Sequence, residues 1–307
     1  MIRRLLCLLL ALACILASAC AEGGFPAGVV TEDGENPDYP PAEYEFSKSR
    51  VARYKSDTLI YTIESFTLDS VHCYLTKIWV KDPERQIRKA NAPWKEKLSK
   101  PLSLAGGIKE AMLASNASGY ITKRYPDIPE SYPGVSSDYY YTTLGSLVVT
   151  DGEELRNLEG VPFRGLALNA DGITLYRGAD NSAVLALKPR QTWAFFEPCA
   201  MQVNGESVLP EEGTWELADF RFRRTILARV NRNNYLMLHV RENKTSPGLS
   251  LHRLNRFFSN HFSTEWVYNL DGGSSSSLIC RPGTKETRLR RYVQNGQGIM
   301  DILCFTE

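Results

Sequence analysis

Acid, glycine and hydroxyl residues fall together in one stretch of the chain: Tyr268-Asn269-Leu270-Asp271-Gly272-Gly273, followed by Ser274 to Ser277 and Leu278. Asp271 stands where an apolar run ends, and every residue just after it has either no side chain or a short hydroxyl. A carboxylate in that setting suits attack on, or charge stabilisation at, an electron-poor carbon. The Gly/Ser run offers successive backbone N–H groups that can gather into an anion-binding nest. Composition alone fits an ordinary hairpin turn as well, so the surroundings must decide.

Other chemistry is sparse. The histidines show no metal-ligand spacing. Ser275 or Ser276 as a nucleophile lacks the G-x-S-x-G elbow and an evident His partner. Outside the N-terminal segment the cysteines are Cys73, Cys199, Cys280 and Cys304, without a CxxC pair, and they fit disulfide partners or buried thiols equally. Lys and Arg number 36 against 35 Asp and Glu. That balance leaves no long-range field to draw the protein onto nucleic acid or an anionic membrane, so anion recognition must be local.

The elements that would position Asp271 are mostly strands. Thr58 to Phe66 and Val71 to Val80 are apolar and β-branched, with the imperfect alternation of partly buried strands. From Thr143 to Leu209 short runs (LGSLVVT, LALNADGITLYRG, AVLAL, TWAFF, AMQVNGESVL) predict antiparallel strands, with hairpin turns at Asp151-Gly152, Asp171-Gly172 and Asn204-Gly205. ILARV and YLMLHV predict another hairpin between Leu227 and Val240. A helix is expected from Leu251, where Leu254, Phe257, Phe258 and Phe262 share a face and Ser250 is placed as N-cap. TEWVYNL and SLIC are strands on either side of the Asp271 loop, and the Lys-rich residues 84–100 are expected to form a solvated loop or helix face.

At the N-terminus, Arg3 and Arg4 precede the apolar run Leu5 to Leu16 and the site Ala17-Ser18-Ala19. This predicts an export signal over residues 1–20. Cys20 leaves two outcomes open, release as a secreted protein or anchoring at the outer face of the cytoplasmic membrane through a lipid on that cysteine. Residues 21–45, rich in Gly, Pro and acid, are expected to be a flexible linker, and residues 46–307 the functional domain.

The order RRTILARVNRNNYLMLHV, GLSLHRLNRFF, VYNLDGGSSSSL and RLRRYVQNGQGIMDILCF resembles the phosphodiester glycosidase family over about Thr58 to Phe305. The matching pieces are Arg224-Thr225, Gly248-Leu249-Ser250-Leu251, Asn269-Leu270-Asp271-Gly272-Gly273, and an upstream Asn116-Ala117-Ser118-Gly119-Tyr120. The departures are Ser274 in place of a third loop glycine, Ala228 in place of a glycine after Arg-Thr, and Arg241-Glu242-Asn243 in place of an Asp-Gly. Ser274 requires a negative φ or local strain.

The resemblance implies an α+β fold: a single domain with a largely antiparallel or mixed sheet and a few packed helices. It implies hydrolysis of the glycosyl–phosphate bond of a sugar-1-phosphodiester, with a cell-envelope or exopolysaccharide substrate expected. Asp271 would be catalytic. Asn116, Arg224, Thr225, Asn269, Gly272, Gly273, Ser274 and Ser275 would bind substrate, with Arg224 as a phosphate clamp. No cofactor is established by these residues, and a divalent cation beside Asp271 stays open. The partner is a carbohydrate phosphodiester or polysaccharide. Two rival readings keep the same loop: a non-catalytic carbohydrate-binding protein, and a transferase passing the glycosyl group to an acceptor sugar.

Overall fold

The computed structural model describes residues 49–93, 96–122, 141–195, 199–242, 247–283, 288–293 and 297–307, all within a unit running from Pro41 to Glu307. The expected export signal and linker lie outside the described residues, as does Asn243. The chain begins with β1 (Ser49–Lys55), β2 (Leu59–Leu68) and β3 (Val71–Val80). Asp69 and Ser70, both at positive φ, join β2 to β3 in the mirror-image turn that matches strand twist.

A short helix α1 (Pro83–Gln86), β4 (Ile87–Asn91), α2 (Pro101–Gly107), β5 (Ala111–Asn116), β6 (Tyr120–Thr122) and β7 (Tyr141–Thr143) follow. Next come β8 (Leu147–Thr150), β9 (Glu153–Asn157), β10 (Phe163–Asn169), β11 (Gly172–Ala179), α3 (Asn181–Ala186) and β12 (Gln191–Trp193). The last third holds β13 (Ala200–Val203), β14 (Glu206–Ser207), α4 (Glu216–Asp219), β15 (Arg224–Arg229) and β16 (Asn234–Val240). It ends with α5 (Leu251–His261), β17 (Trp266–Leu270), a 3-10 turn (Gly273–Ser275), β18 (Leu278–Cys280), β19 (Arg290–Val293) and β20 (Asp301–Thr306).

Every strand pairing among the described residues is antiparallel, and the strands divide into several sheets rather than one. The largest has the order β1-β2-β3-β16-β15-β17-β13-β14. Two five-stranded sheets have the orders β11-β10-β12-β8-β9 and β19-β18-β5-β20-β4, and β6 pairs with β7. One core joins the three larger sheets, drawing Tyr61, Leu227, Tyr268 and Leu270 from the first, Leu166 and Trp193 from the second, and Leu113, Leu278 and Phe305 from the third.

Helix α5 covers the outer face of the largest sheet against β13 and β17, burying Leu251, Leu254, Phe257 and Phe258. Ser250 caps it as expected, its hydroxyl accepting the Arg253 N–H at 3.2 Å. Helix α2 covers the sheet of β5, β18 and β20 in the same way.

Two expectations are corrected. AVLAL is not a strand: Ala183 to Ala186 lie in α3 and Leu187 is its C-cap, because the Asp180 side chain accepts the Ser182 N–H and starts a helix there. Residues 84–100 are not merely a solvated face. They include β4, paired with β20, and Lys89 is buried because its charge has a carboxylate partner, Asp301.

Candidate active site

The site is built where strands of two facing sheets end together. β17 and β15 lie side by side in the largest sheet, with Thr225 opposite Leu270. In the sheet across the core β5 pairs with β18, Ser115 opposite Leu278. Asp271 leaves β17 and its N–H donates to the carbonyl of Ala117, just beyond β5, at 2.9 Å. Asn116 completes the link, its Nδ2 donating to the Asp271 carbonyl.

Asn116 is 1% exposed, and both ends of its side-chain amide bond to protein. Its Oδ1 accepts from the Ser277 N–H at 2.9 Å and from the Thr225 hydroxyl at 3.1 Å, while the Ser277 hydroxyl accepts the Asn116 N–H at 3.1 Å. Thr225 also reaches Ser276 Oγ at 3.2 Å. Together these bonds tie β5, β15 and the exit of β17 into one rigid mount. Beneath them Ser115 Oγ lies 2.9 Å from His239 Nε2, and burial pushes the imidazole down to about 3, so it is neutral at physiological pH.

The Asp271 loop turns tightly. A Cβ at Gly272 would stand 2.6 Å from the Arg223 carbonyl oxygen, and Gly273 has φ +57 with its N–H donating to that oxygen at 2.9 Å. Both positions therefore favour glycine, one for space and one for conformation. Ser274 is not among the residues at positive φ, so the serine fits without backbone strain. Asp271, Gly272 and Gly273 are half-buried, Ser274 is exposed and Ser275 buried. Of the loop N–H groups, those of Gly272, Gly273, Ser275 and Ser276 bond within the protein, whereas that of Ser274 donates to no group among the described residues.

Burial pushes the Asp271 carboxyl up to about 7, against the hydrogen bonds from the Ser275 hydroxyl and the Gly272 N–H, with Asp301 adding a smaller like-charge push upward. Among the described residues no Lys, Arg or His pairs with it. Asp301 itself is held by Lys89 Nζ at 3.2 Å and accepts the Ser118 N–H at 2.7 Å, while Lys89 also donates to the Thr192 carbonyl at 2.7 Å. No cluster of three His, Cys, Asp or Glu able to hold a metal ion stands among the described residues.

The structure thus brings Asp271, Gly272, Gly273, Ser274, Ser275, Asn116 and Thr225 together. It buries two further expected ligands. Arg224 is 3% exposed, and its Nη2 donates to the carbonyls of Leu217 and Phe220 at 2.7 and 2.9 Å. Asn269 is fully buried, and its amide has no hydrogen-bond partner among the described residues. Sequence reasoning missed the Lys89–Asp301 pair and the Ser115–His239 contact, since neither has a local sequence signal and both form only when β4, β5, β16 and β20 assemble. Cys73, Cys199, Cys280 and Cys304 are buried, and no disulfide joins them to one another.

Comparison with known proteins places this site in context. The sequence pattern of a family described as phosphodiester glycosidase matches residues 129–300. Among solved structures, the catalytic domain of zebrafish N-acetylglucosamine-1-phosphodiester alpha-N-acetylglucosaminidase, auto-inhibited by its pro-peptide, superposes with a TM-score of 0.58 at 18% identity, over 88% of this chain and 91% of that one. A protein from Synechocystis superposes at 0.49 with 14% identity, over 82% of this chain and 63% of that one. No match is found among curated proteins.

Proposed function

The chain belongs to the phosphodiester glycosidase family, and from that premise we propose that it hydrolyses a sugar-1-phosphodiester at the bond between the anomeric carbon and the phosphate oxygen, with Asp271 as its catalytic carboxylate. The observation that carries the reading is the position of Asp271: a half-buried carboxylate on a rigid strand end, beside a loop whose Ser274 N–H has no partner among the described residues. The zebrafish relative shares the fold, and its name states an action on N-acetylglucosamine-1-phosphodiesters.

The reaction separates an electron-poor anomeric carbon from an anion. As the C–O bond breaks, positive charge builds on the sugar, and the Asp271 carboxylate stabilises it or bonds to it. The leaving phosphate monoester departs already charged, so it needs N–H donors more than it needs a proton. Asn116 and Thr225 act as positioning residues: both are buried, Asn116 holds the Asp271 carbonyl, and Thr225 holds Asn116 and Ser276. The loop of Gly272, Gly273, Ser274 and Ser275 lines the phosphate side. Arg224 supports the segment beside the loop. The substrate belongs to envelope or extracellular carbohydrate, in keeping with the export signal expected over residues 1–20.

The test is the methyl diester of N-acetylglucosamine 1-phosphate, incubated with the protein in ¹⁸O-labelled water. Label in the released sugar and none in methyl phosphate is the expected result. Label in the phosphate would mean P–O cleavage. Binding without turnover would make the protein a carbohydrate-binding member of its family, and transfer to an added acceptor sugar in preference to water would make it a transferase.

A further inference from the structure

Four large apolar side chains are exposed among the described residues, and three of them, Trp215, Phe220 and Phe222, fall in one short segment. Apolar rings are usually withdrawn from water, so a cluster left outside marks a binding surface. Phe220 is 45% and Phe222 42% exposed, and their rings meet edge to face at 5.8 Å and 83°. They are held rather than loose. Phe222 exchanges backbone hydrogen bonds with Leu249 at 3.2 and 3.0 Å, and the Phe220 carbonyl accepts from the buried Arg224, whose guanidinium lies 5.2 Å from the Phe222 ring centre.

The segment that carries the rings is bonded to the candidate active site. The residue after Phe222 is Arg223, and its carbonyl accepts the Gly273 N–H of the Asp271 loop at 2.9 Å. A buried cation therefore holds two exposed rings on the segment whose Arg223 carbonyl accepts from the loop beside the catalytic carboxylate.

We propose that Phe220 and Phe222 form a carbohydrate subsite of the Asp271 site, stacking against a pyranose ring of the substrate beyond the reacting glycosyl phosphate. A pyranose is hydroxylated at its rim but presents C–H groups on its face, and those groups pack on an aromatic ring without stripping water from the hydroxyls. The subsite rests on the hydrolytic reading above only for the identity of the reacting bond. It gives Arg224 a role suited to its burial: it positions the rings instead of clamping phosphate.

The test uses two diesters of N-acetylglucosamine 1-phosphate, one with methanol and one with maltose as a neutral pyranose disaccharide, titrated calorimetrically into the Asp271→Asn protein so that neither is consumed. Adding Phe220→Ala and Phe222→Ala is expected to weaken the disaccharide diester about tenfold and the methyl diester by less than about twofold. Phe222→Tyr, which keeps the ring, should retain the affinity and show that the fold is intact. Equal losses on both diesters, or no loss on either, would overturn the subsite. A shift from dimer to monomer in the alanine variant with binding unchanged would overturn it too, assigning the patch to a second copy of the chain. Turnover by the protein with Asp271 intact is followed separately: a selective loss of binding without any hydrolysis would sink the reaction and leave the subsite standing, and hydrolysis without the selective loss would do the reverse.

Discussion

Asp271 is costly to its own fold. Burial holds its carboxyl at about 7 where a free one lies at 3.8, so between those values the folded protein keeps a proton that the unfolded chain has released. Stability from this group is therefore lost as pH rises through the window from about 4 to about 7, and the loss is complete above it. Asp271→Asn removes the charge but keeps the volume. It is expected to raise the melting temperature at pH 8, by of order 1 kcal/mol of stability once solvent screening at this half-buried group is allowed for, and to leave it nearly unchanged at pH 4. Thermal scans at the two values check this; a lower melting temperature for the variant at pH 8 would mean that the carboxylate is stabilised by the fold. Such a cost is what a residue kept for chemistry shows. Arg224 is the opposite case, a charge whose hydrogen bonds to carbonyls serve the structure beside the site.

Among the elements, the decisive ones are the strand ends and the pair that fixes them. Lys89 on β4 and Asp301 on β20 are 1% and 0% exposed, and through Ser118 and Thr192 they connect the segment after β5 with β12. Removing one partner leaves a buried charge uncompensated. Lys89→Ala should thus destabilise the protein by about 3–5 kcal/mol in urea unfolding, and a loss below about 1 kcal/mol would mean that water reaches Asp301.

The pattern of apolar residues made β2, β3, β15, β16, β17 and α5 legible, because each has a period of its own and a turn or cap at its end. The Asp271 loop was legible for the same reason, since local sequence sets its geometry. What the sequence hid was whatever depends on distant strands meeting. A Lys-rich stretch looks solvated until Asp301 is laid beside Lys89, and Arg224 looks like an anion ligand until the Leu217 and Phe220 carbonyls close over it. AVLAL was ambiguous on length, too short for its period to show, and the Asp180 cap decided it.

At the scale of the whole molecule, antiparallel sheets around one core place the ends of β5, β15 and β17 at a common edge, and helices cover the outer faces of two of the sheets. No helix among the described residues is long and apolar enough to cross a membrane. The expected export signal makes its own prediction. Mass spectrometry of the mature protein should find Met1 removed, with the new N-terminus near Cys20 and, if the protein is anchored, an acylated Cys20; retention of Met1 would contradict export. The proposed hydrolysis rests on one carboxylate, that of Asp271. The most direct measurement is the initial rate on the methyl diester of N-acetylglucosamine 1-phosphate for wild type and Asp271→Asn, followed from pH 5 to 9. An ionised Asp271 is needed, so the wild-type rate should climb through about pH 7 and level off, and the variant should be slower by about two to three powers of ten at the plateau. A variant with near wild-type rates, or a wild-type rate that falls as pH rises through 7, would contradict the assignment.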